Sequence, residues 1–353
     1  LNQFHSVTPV LEIEPENGEF ELYAYDVPTD SDVPAITKTL DECAAENAAA
    51  FKDFLGTIVD VPKEWDDVKE KIAYALWLCH REISGKEVIV ENKYNSAKTN
   101  SQLMSIASLA FTDPVKAVNM ILAYPVEAPL YVGIAANRLI EDNLLNDSRG
   151  EIFRVYAALE TAARKWVTDR TTDKDGLSFY AYRFESGAAK SPEFFKAGEP
   201  VFAPDLNAYL VLVSEVIGKL AIMEYDDGVG QKWETRAKEL LRQLIGELWN
   251  GEDFIGKNAY TGELSGPDKL LSLVPIILGN RLPSNVIAKL APKIDAEITD
   301  SASGLLLVSG LYDAGEQTAA KEIALKALNG VRSGGVTCPF YAASLLALAH
   351  KVL

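Results

Sequence analysis

Apolar and polar positions follow a helical period over most of this chain. The stretches "AITKTLDECAAENAAAFKDFL" (35–55) and "VKEKIAYALWLCHREI" (68–83) repeat apolar residues at i, i+3, i+4 and i+7. The same spacing predicts helices in "PVKAVNMIL", "EIFRVYAALETAARKWV", "LNAYLVLVSEVIGKLAIM" and "KWETRAKELLRQLIGELW". It continues through "PDKLLSLVPIIL", "SNVIAKLAPKI", "SGLLLVSGLYDAG", "QTAAKEIALKALNGV" and "PFYAASLLALAHKVL". Some of these segments are apolar nearly all round and belong inside a fold. Others carry one apolar stripe and belong on its outside, so two concentric layers of helices are expected. Strand character is confined to "FELYAYDV", which alternates between Gly and Pro boundaries. Gly/Pro/Asp-rich loops join the helices and no linker-like tract divides them. The expectation is an all-α fold over residues 35–353, preceded by a short β-containing or irregular segment over 1–34.

Composition narrows the functional classes. The 353 residues are 48% hydrophobic and 24% charged, the balance of a globular chain with a sizeable core. A formal net charge of -17 repels phosphate backbones, so nucleic acid is not an expected partner. No run reaches the roughly 18 uncharged apolar residues of a membrane span. "LNQFHSVTPV" has neither a basic region nor an apolar core, which predicts a chain that is cytoplasmic, or secreted after removal of a leader. Cys43, Cys79 and Cys338 are too scattered for a metal site, and the first two fall in apolar helical patterns that predict buried thiols. His5, His80 and His350 are equally scattered, so no metal is expected. "DDGVGQKW" and "VRSGGVTC" lack the spacing of a phosphate-binding loop, and no cofactor is expected.

Several landmarks fall in an informative order. "AALETAARKWVTDRTTDKDGLSFYAYRFESG" is followed by "DLNAYLVLVSEVIGKLA", then by "ELWNGEDF" and "LSLVPIILGNRLP", and last by "SGLYDAGEQTAAKEIALKAL" and "PFYAASLLALA". Over roughly residues 65–353 this order resembles the (α/α)6-barrel, or six-hairpin, glycoside hydrolases of the trehalase and processing α-glucosidase type. The resemblance implies an (α/α)6 toroid and a carbohydrate partner. It also implies departures in the active site. Where the family has a Trp-Asp pair in an early loop, this chain has Asn100-Ser101. At the family's general acid, the Asp of Glu-Ser-Gly-Trp-Asp, it has Ala189, with Ala188 before it. "DAEITD" (295–300) stands where a sugar-lining segment is usual, and "NGVRSGGVTCPF", where the general base is expected, holds no carboxylate.

Inverting hydrolysis needs a carboxylic acid and a carboxylate base about 6.5–9.5 Å apart, and alanine supplies neither. Three readings follow. In one, the usual acid and base are replaced and the barrel is strongly diverged or catalytically inactive, keeping sugar binding. Tyr94, Asn100, Ser101, Tyr182, Arg183, Lys190, Asn207 and Asp300 are the candidates for that binding, because amides and charged groups pair with hydroxyls and aromatic faces carry sugar rings. In the second, hydrolysis persists through relocated carboxylates: Glu185 and Asp205 first, with Glu297 and Asp300 as further candidates. The third is a lyase with Tyr94, Tyr180 or Tyr182 as base. Each residue also has a structural reading. Glu185 can simply pair with Arg183, Asp205 can cap the helix that follows it, and Tyr180 and Tyr182 can belong to a packed strand.

Overall fold

The computed structural model describes residues 37–83, 86–90, 109, 114–122, 132–141, 143–145, 149–172, 176–186, 193–224, 226–336 and 338–353. The chain divides into two compact units, Leu1–Asp53 and Phe54–Leu353. Helix α1, Leu40–Gly56, crosses that boundary and buries none of its side chains. Its start is a capping box: the Thr39 amide donates to Glu42 at 2.8 Å and the Glu42 amide to the Thr39 hydroxyl at 3.3 Å.

The unit from Phe54 onward is a helical toroid. Its described helices are α2 (Asp66–Cys79), α3 (Pro114–Leu122), α4 (Val132–Glu141), α5 (Arg149–Asp169), α6 (Pro204–Met223) and α7 (Asp227–Leu248). They continue with α8 (Ser284–Leu290), α9 (Ala296–Thr299), α10 (Ala302–Asp313), α11 (Gln317–Gly334) and α12 (Pro339–Val352). Packing follows the two classes of pattern. In α6, 16 of 20 residues are buried, so it is surrounded on all sides. In α7 only Gly230, Trp233, Ala237, Leu240, Leu244 and Leu248 are buried, a stripe at three- and four-residue steps that lies against α6 from outside. Each fully buried leucine of that stripe contributes about 2 kcal/mol. The inner wall runs α2, α12, α10, the segment 274–281, α6 and α4, each packed on the next. Helix α5 packs on α6 and α11 on both α10 and α12, forming the outer layer. The protein is an (α/α)6 toroid.

Three local departures from the sequence expectation have physical causes. The helix expected over 68–83 stops at Cys79, because His80 turns extended (ψ 132°). His80–Ile83 (β1) then pairs antiparallel with Lys86–Ile89 (β2), whose "EVIV" stretch is rich in β-branched residues. The helix expected in "PDKLLSLVPIIL" is a turn followed by a 3-10 segment, Val274–Arg281. Pro275 removes a backbone donor there, and Gly279 takes φ +57°, where a Cβ would meet the Asp313 side chain at 2.7 Å. One of the six inner positions is thus filled by a tighter, kinked helix. Cys43 and Cys79 are half-buried rather than buried, and Cys338 is exposed. Helix α6 is long and apolar enough to cross a membrane, but 78% of its apolar window is buried inside the protein, as a central barrel helix must be.

Candidate functional site

The loops that lead into α6 are pinned by a small sheet. Phe179–Tyr180 (β3) pairs with Val201–Phe202 (β4), which pairs with Lys257–Asn258 (β5), all antiparallel. The Phe179 amide donates to the Arg170 carbonyl at 2.7 Å, tying β3 to the end of α5. Asn207, expected to meet a sugar hydroxyl, instead completes this frame. Its Oδ1 accepts from the Ser178 amide at 2.9 Å, and its Nδ2 donates to the carbonyls of Ser178 and Ala203, each at 2.9 Å. It is fully buried, with its oxygen and both N–H groups bonded to backbone.

Asp205 lies beneath the same frame. It does not cap α6: the N-cap is Ala203, Pro204 opens the helix, and Asp205 is its second residue. The side chain is 1% exposed. Tyr180 donates its hydroxyl to Oδ2 at 3.0 Å, while Oδ1 makes no hydrogen bond of good geometry among the described residues. Burial pushes the carboxyl up to about 7, and the bond from Tyr180 and the nearby amides of Leu206 and Asp205 pull only partly the other way. Trp166 meets Tyr180 edge-on, with centroids 5.8 Å apart, and closes the cluster. Tyr180 is therefore a buried donor to a carboxyl rather than an accessible base.

Glu185 sits in the turn that follows the strand. Its expected partner was Arg183, but the ion pair forms with Arg170, at 2.7 Å. The second oxygen accepts from the Ala181 amide at 2.6 Å and the Tyr182 amide at 3.4 Å. These bonds close the 3-10 turn Arg183–Ser186 and lock it to the end of α5. Arg183 turns away to Glu199, to which its amide donates at 2.9 Å and its Nε at 3.4 Å. With its polar atoms turned inward, the turn presents aromatic rings outward: Tyr182 is 61% exposed and Phe184 76%. A second turn adds another. Asn258 Oδ1 accepts from the amides of Tyr260 and Thr261, both at 2.9 Å, and Tyr260 projects from it, 73% exposed and 6.2 Å from the Phe179 ring. Phe184 and Tyr260 were not among the sequence candidates.

Asp300 is exposed and lines a separate groove of about 400 Å³ with Lys326 and Tyr341. Burial, and then the charge of Asp300, raise the Tyr341 hydroxyl above its ordinary value. Glu297 pairs with Lys269 on the surface. Tyr94, Asn100, Ser101 and Lys190, with Ala188 and Ala189, lie outside the described residues. No cluster of three potential metal ligands occurs among the described residues.

The helical toroid, with a small sheet pinning the loops ahead of an inner helix, is the architecture of the (α/α)6 barrels. Residues 124–300 match the mannosylglycerate hydrolase MGH1-like glycoside hydrolase domain, half of the chain, and the protein belongs to that family. Among solved structures it is similar to the GH63 mannosylglycerate hydrolase from Thermus thermophilus in complex with Tris and D-glycerate. That match has 13% identity and a TM-score of 0.65, and covers 80% of this chain and 100% of that one. The complex of that hydrolase with glucose matches at 13% identity and a TM-score of 0.64, covering 80% of this chain and 99% of that one. A sialidase matches at 13% identity and a TM-score of 0.59 over 78% of this chain, which spans only 30% of the sialidase. No curated protein matches by sequence.

Proposed function

We propose that this protein binds carbohydrate through the aromatic rim beside α6 and does not perform the hydrolysis of its relatives. The observation that carries the reading is the state of the two leading carboxylate candidates, since Glu297 is paired with Lys269 and Asp300 lines a separate groove. Asp205 is enclosed and Glu185 is spent on Arg170 and two amides, so neither presents a free oxygen to a glycosidic bond. Ala189 and the carboxylate-free "NGVRSGGVTCPF" supply nothing in their place. The exposed rings of Tyr182, Phe184 and Tyr260 supply apolar faces suited to sugar rings, with Arg183 and Glu199 beside them for hydroxyls.

A carbohydrate array, followed by calorimetry on each hit, tests the binding. The double variant Tyr182→Ala/Phe184→Ala should weaken a genuine hit roughly tenfold or more, since each ring contact is worth about 0.5–1.5 kcal/mol. Assays of hexose release from mannosylglycerate, trehalose and simple α-glucosides should show no turnover. Ala189→Asp alone should not restore it, because the base is missing as well. Robust wild-type turnover that Glu185→Gln abolishes would overturn the reading in favour of a relocated carboxylate.

A further inference from the structure

Away from that rim, a polar cavity of about 250 Å³ opens among the last turns of α4, the 274–281 segment, α10 and α12. On α6 it touches Leu212, seven residues beyond Asp205, or about 10 Å along the helix. Arg138, Glu141, Arg281, Asp313 and Lys351 line it. Just behind them stand Glu215, bound by Arg281 Nε at 2.7 Å, and Lys219, which donates to Asn137 at 3.1 Å. Four cations thus face three carboxylates, a local positive excess in a chain of net charge -17.

Much of this charge is structural. Cations near helix C-termini offset the exposed carbonyls there. Arg138 pairs with Glu141 at 2.9 Å, and Lys351 donates to Asp313 at 2.5 Å and to Ser309 at 3.0 Å. Pairing does not use every donor, however. The Nη2 of Arg281 and the side-chain amide of Asn280, at the exposed mouth, make no hydrogen bond among the described residues, and the Lys351 ammonium, 5.8 Å from the Tyr312 ring centroid, keeps one N–H that neither oxygen takes. The Lys351 side chain is 7% exposed, so its charge is largely removed from water. Burial, and next the charge of Arg138, lower its affinity for a proton, as an anion arriving in the cavity would reverse.

We propose that this cavity is a second binding site, for a small organic monocarboxylate held by Arg281, Asn280 and Lys351. A carboxylate accepts up to four hydrogen bonds, and the unused donors converge from two inner elements on one space. The volume equals about eight waters, which limits the ligand to a small acid. The apolar wall from Leu212, Ile277 and Leu306 suits its carbon chain. This inference does not rest on carbohydrate binding at the rim.

The test is calorimetric and thermal-shift titration of the full chain with sodium acetate, glycolate and lactate at constant ionic strength. Sodium chloride and methyl glucoside serve as controls. Saturable binding of at least one carboxylate, with neither control competing, is expected. Lys351→Gln should weaken it about tenfold, the usual worth of a charged hydrogen bond. Leu306→Trp keeps every charge, fills the cavity and should abolish binding while leaving the rim intact. Absence of carboxylate binding in the wild type, equal binding of methyl glucoside at this place, or unchanged affinity in Leu306→Trp would each overturn the proposal.

Discussion

Replacing Gly304 by alanine is expected to cost more than about 3 kcal/mol, the upper range of overpacking losses. The chain turns sharply between α9 and α10, and Ser301 caps the second helix by accepting from the Gly304 amide at 3.0 Å. That corner brings the Ile298 carbonyl directly over Gly304. A Cβ there would lie 1.9 Å from the carbonyl oxygen, 2.6 Å from its carbon and 2.9 Å from the Thr299 Cα. All three are backbone atoms, so no side-chain rotation relieves the clash, and the inner helix has to shift within a packed wall. Gly330, inside α11 with nothing near its Cβ position, is the control. Gly330→Ala should stabilise by about 0.5–1 kcal/mol through helix propensity alone. Urea unfolding midpoints read both. A Gly304→Ala variant within about 1 kcal/mol of wild type would show that the corner yields.

Such close approaches mark where sequence reading stops. Period alone predicted two layers, which α6 inside and α7 outside now fill, because complete burial demands an apolar surface all round and half burial demands a stripe. It also predicted a helix in "PDKLLSLVPIIL", where apolar spacing is preserved but Pro275 and the kink at Gly279 tighten the turn to 3-10. The strand at His80–Ile83 was missed for a different reason. Its residues continue the apolar spacing of α2, and only the partner at Lys86–Ile89 reveals the hairpin.

The candidate site was legible in its landmarks and opaque in its contacts. The order of loops led to the right family, and Tyr180 and the Ala181 amide, on and just after β3, bond Asp205 and Glu185 in turn. What each side chain does depends on partners distant in sequence. Asn207 reaches back 29 residues to Ser178, and Glu185 reaches back 15 to Arg170. No local spacing encodes those pairs. Tyr260 had a readable signal, the Asn258-initiated turn in "NAYTG", yet its exposure follows only once β5 is placed beside β4.

Asp205 gives the last expected result: Asp205→Asn should change how stability depends on pH. The carboxyl titrates at about 7 in the folded protein against 3.8 for an ordinary aspartate, so the folded state holds its proton longer than the unfolded chain does. Between those values the native state binds more protons, and stability falls as pH rises. Below about pH 4 both states are protonated and Asp205 brings no penalty. Above about pH 7 both have lost the proton and the penalty is complete. At about 1.4 kcal/mol for each pH unit, the wild type should lose roughly 4 kcal/mol from this group alone. Asparagine cannot ionise, and its carbonyl oxygen can still accept from the Tyr180 hydroxyl. The difference between the two unfolding free energies isolates Asp205 together with its charge coupling to Asp268. Measured in urea at fixed ionic strength, the variant should gain on the wild type steadily from pH 4 to pH 7 and level off above. A difference that stays flat across that range would mean that water or a charge partner reaches Asp205, and the case against its acting as an exposed acid would fail with it.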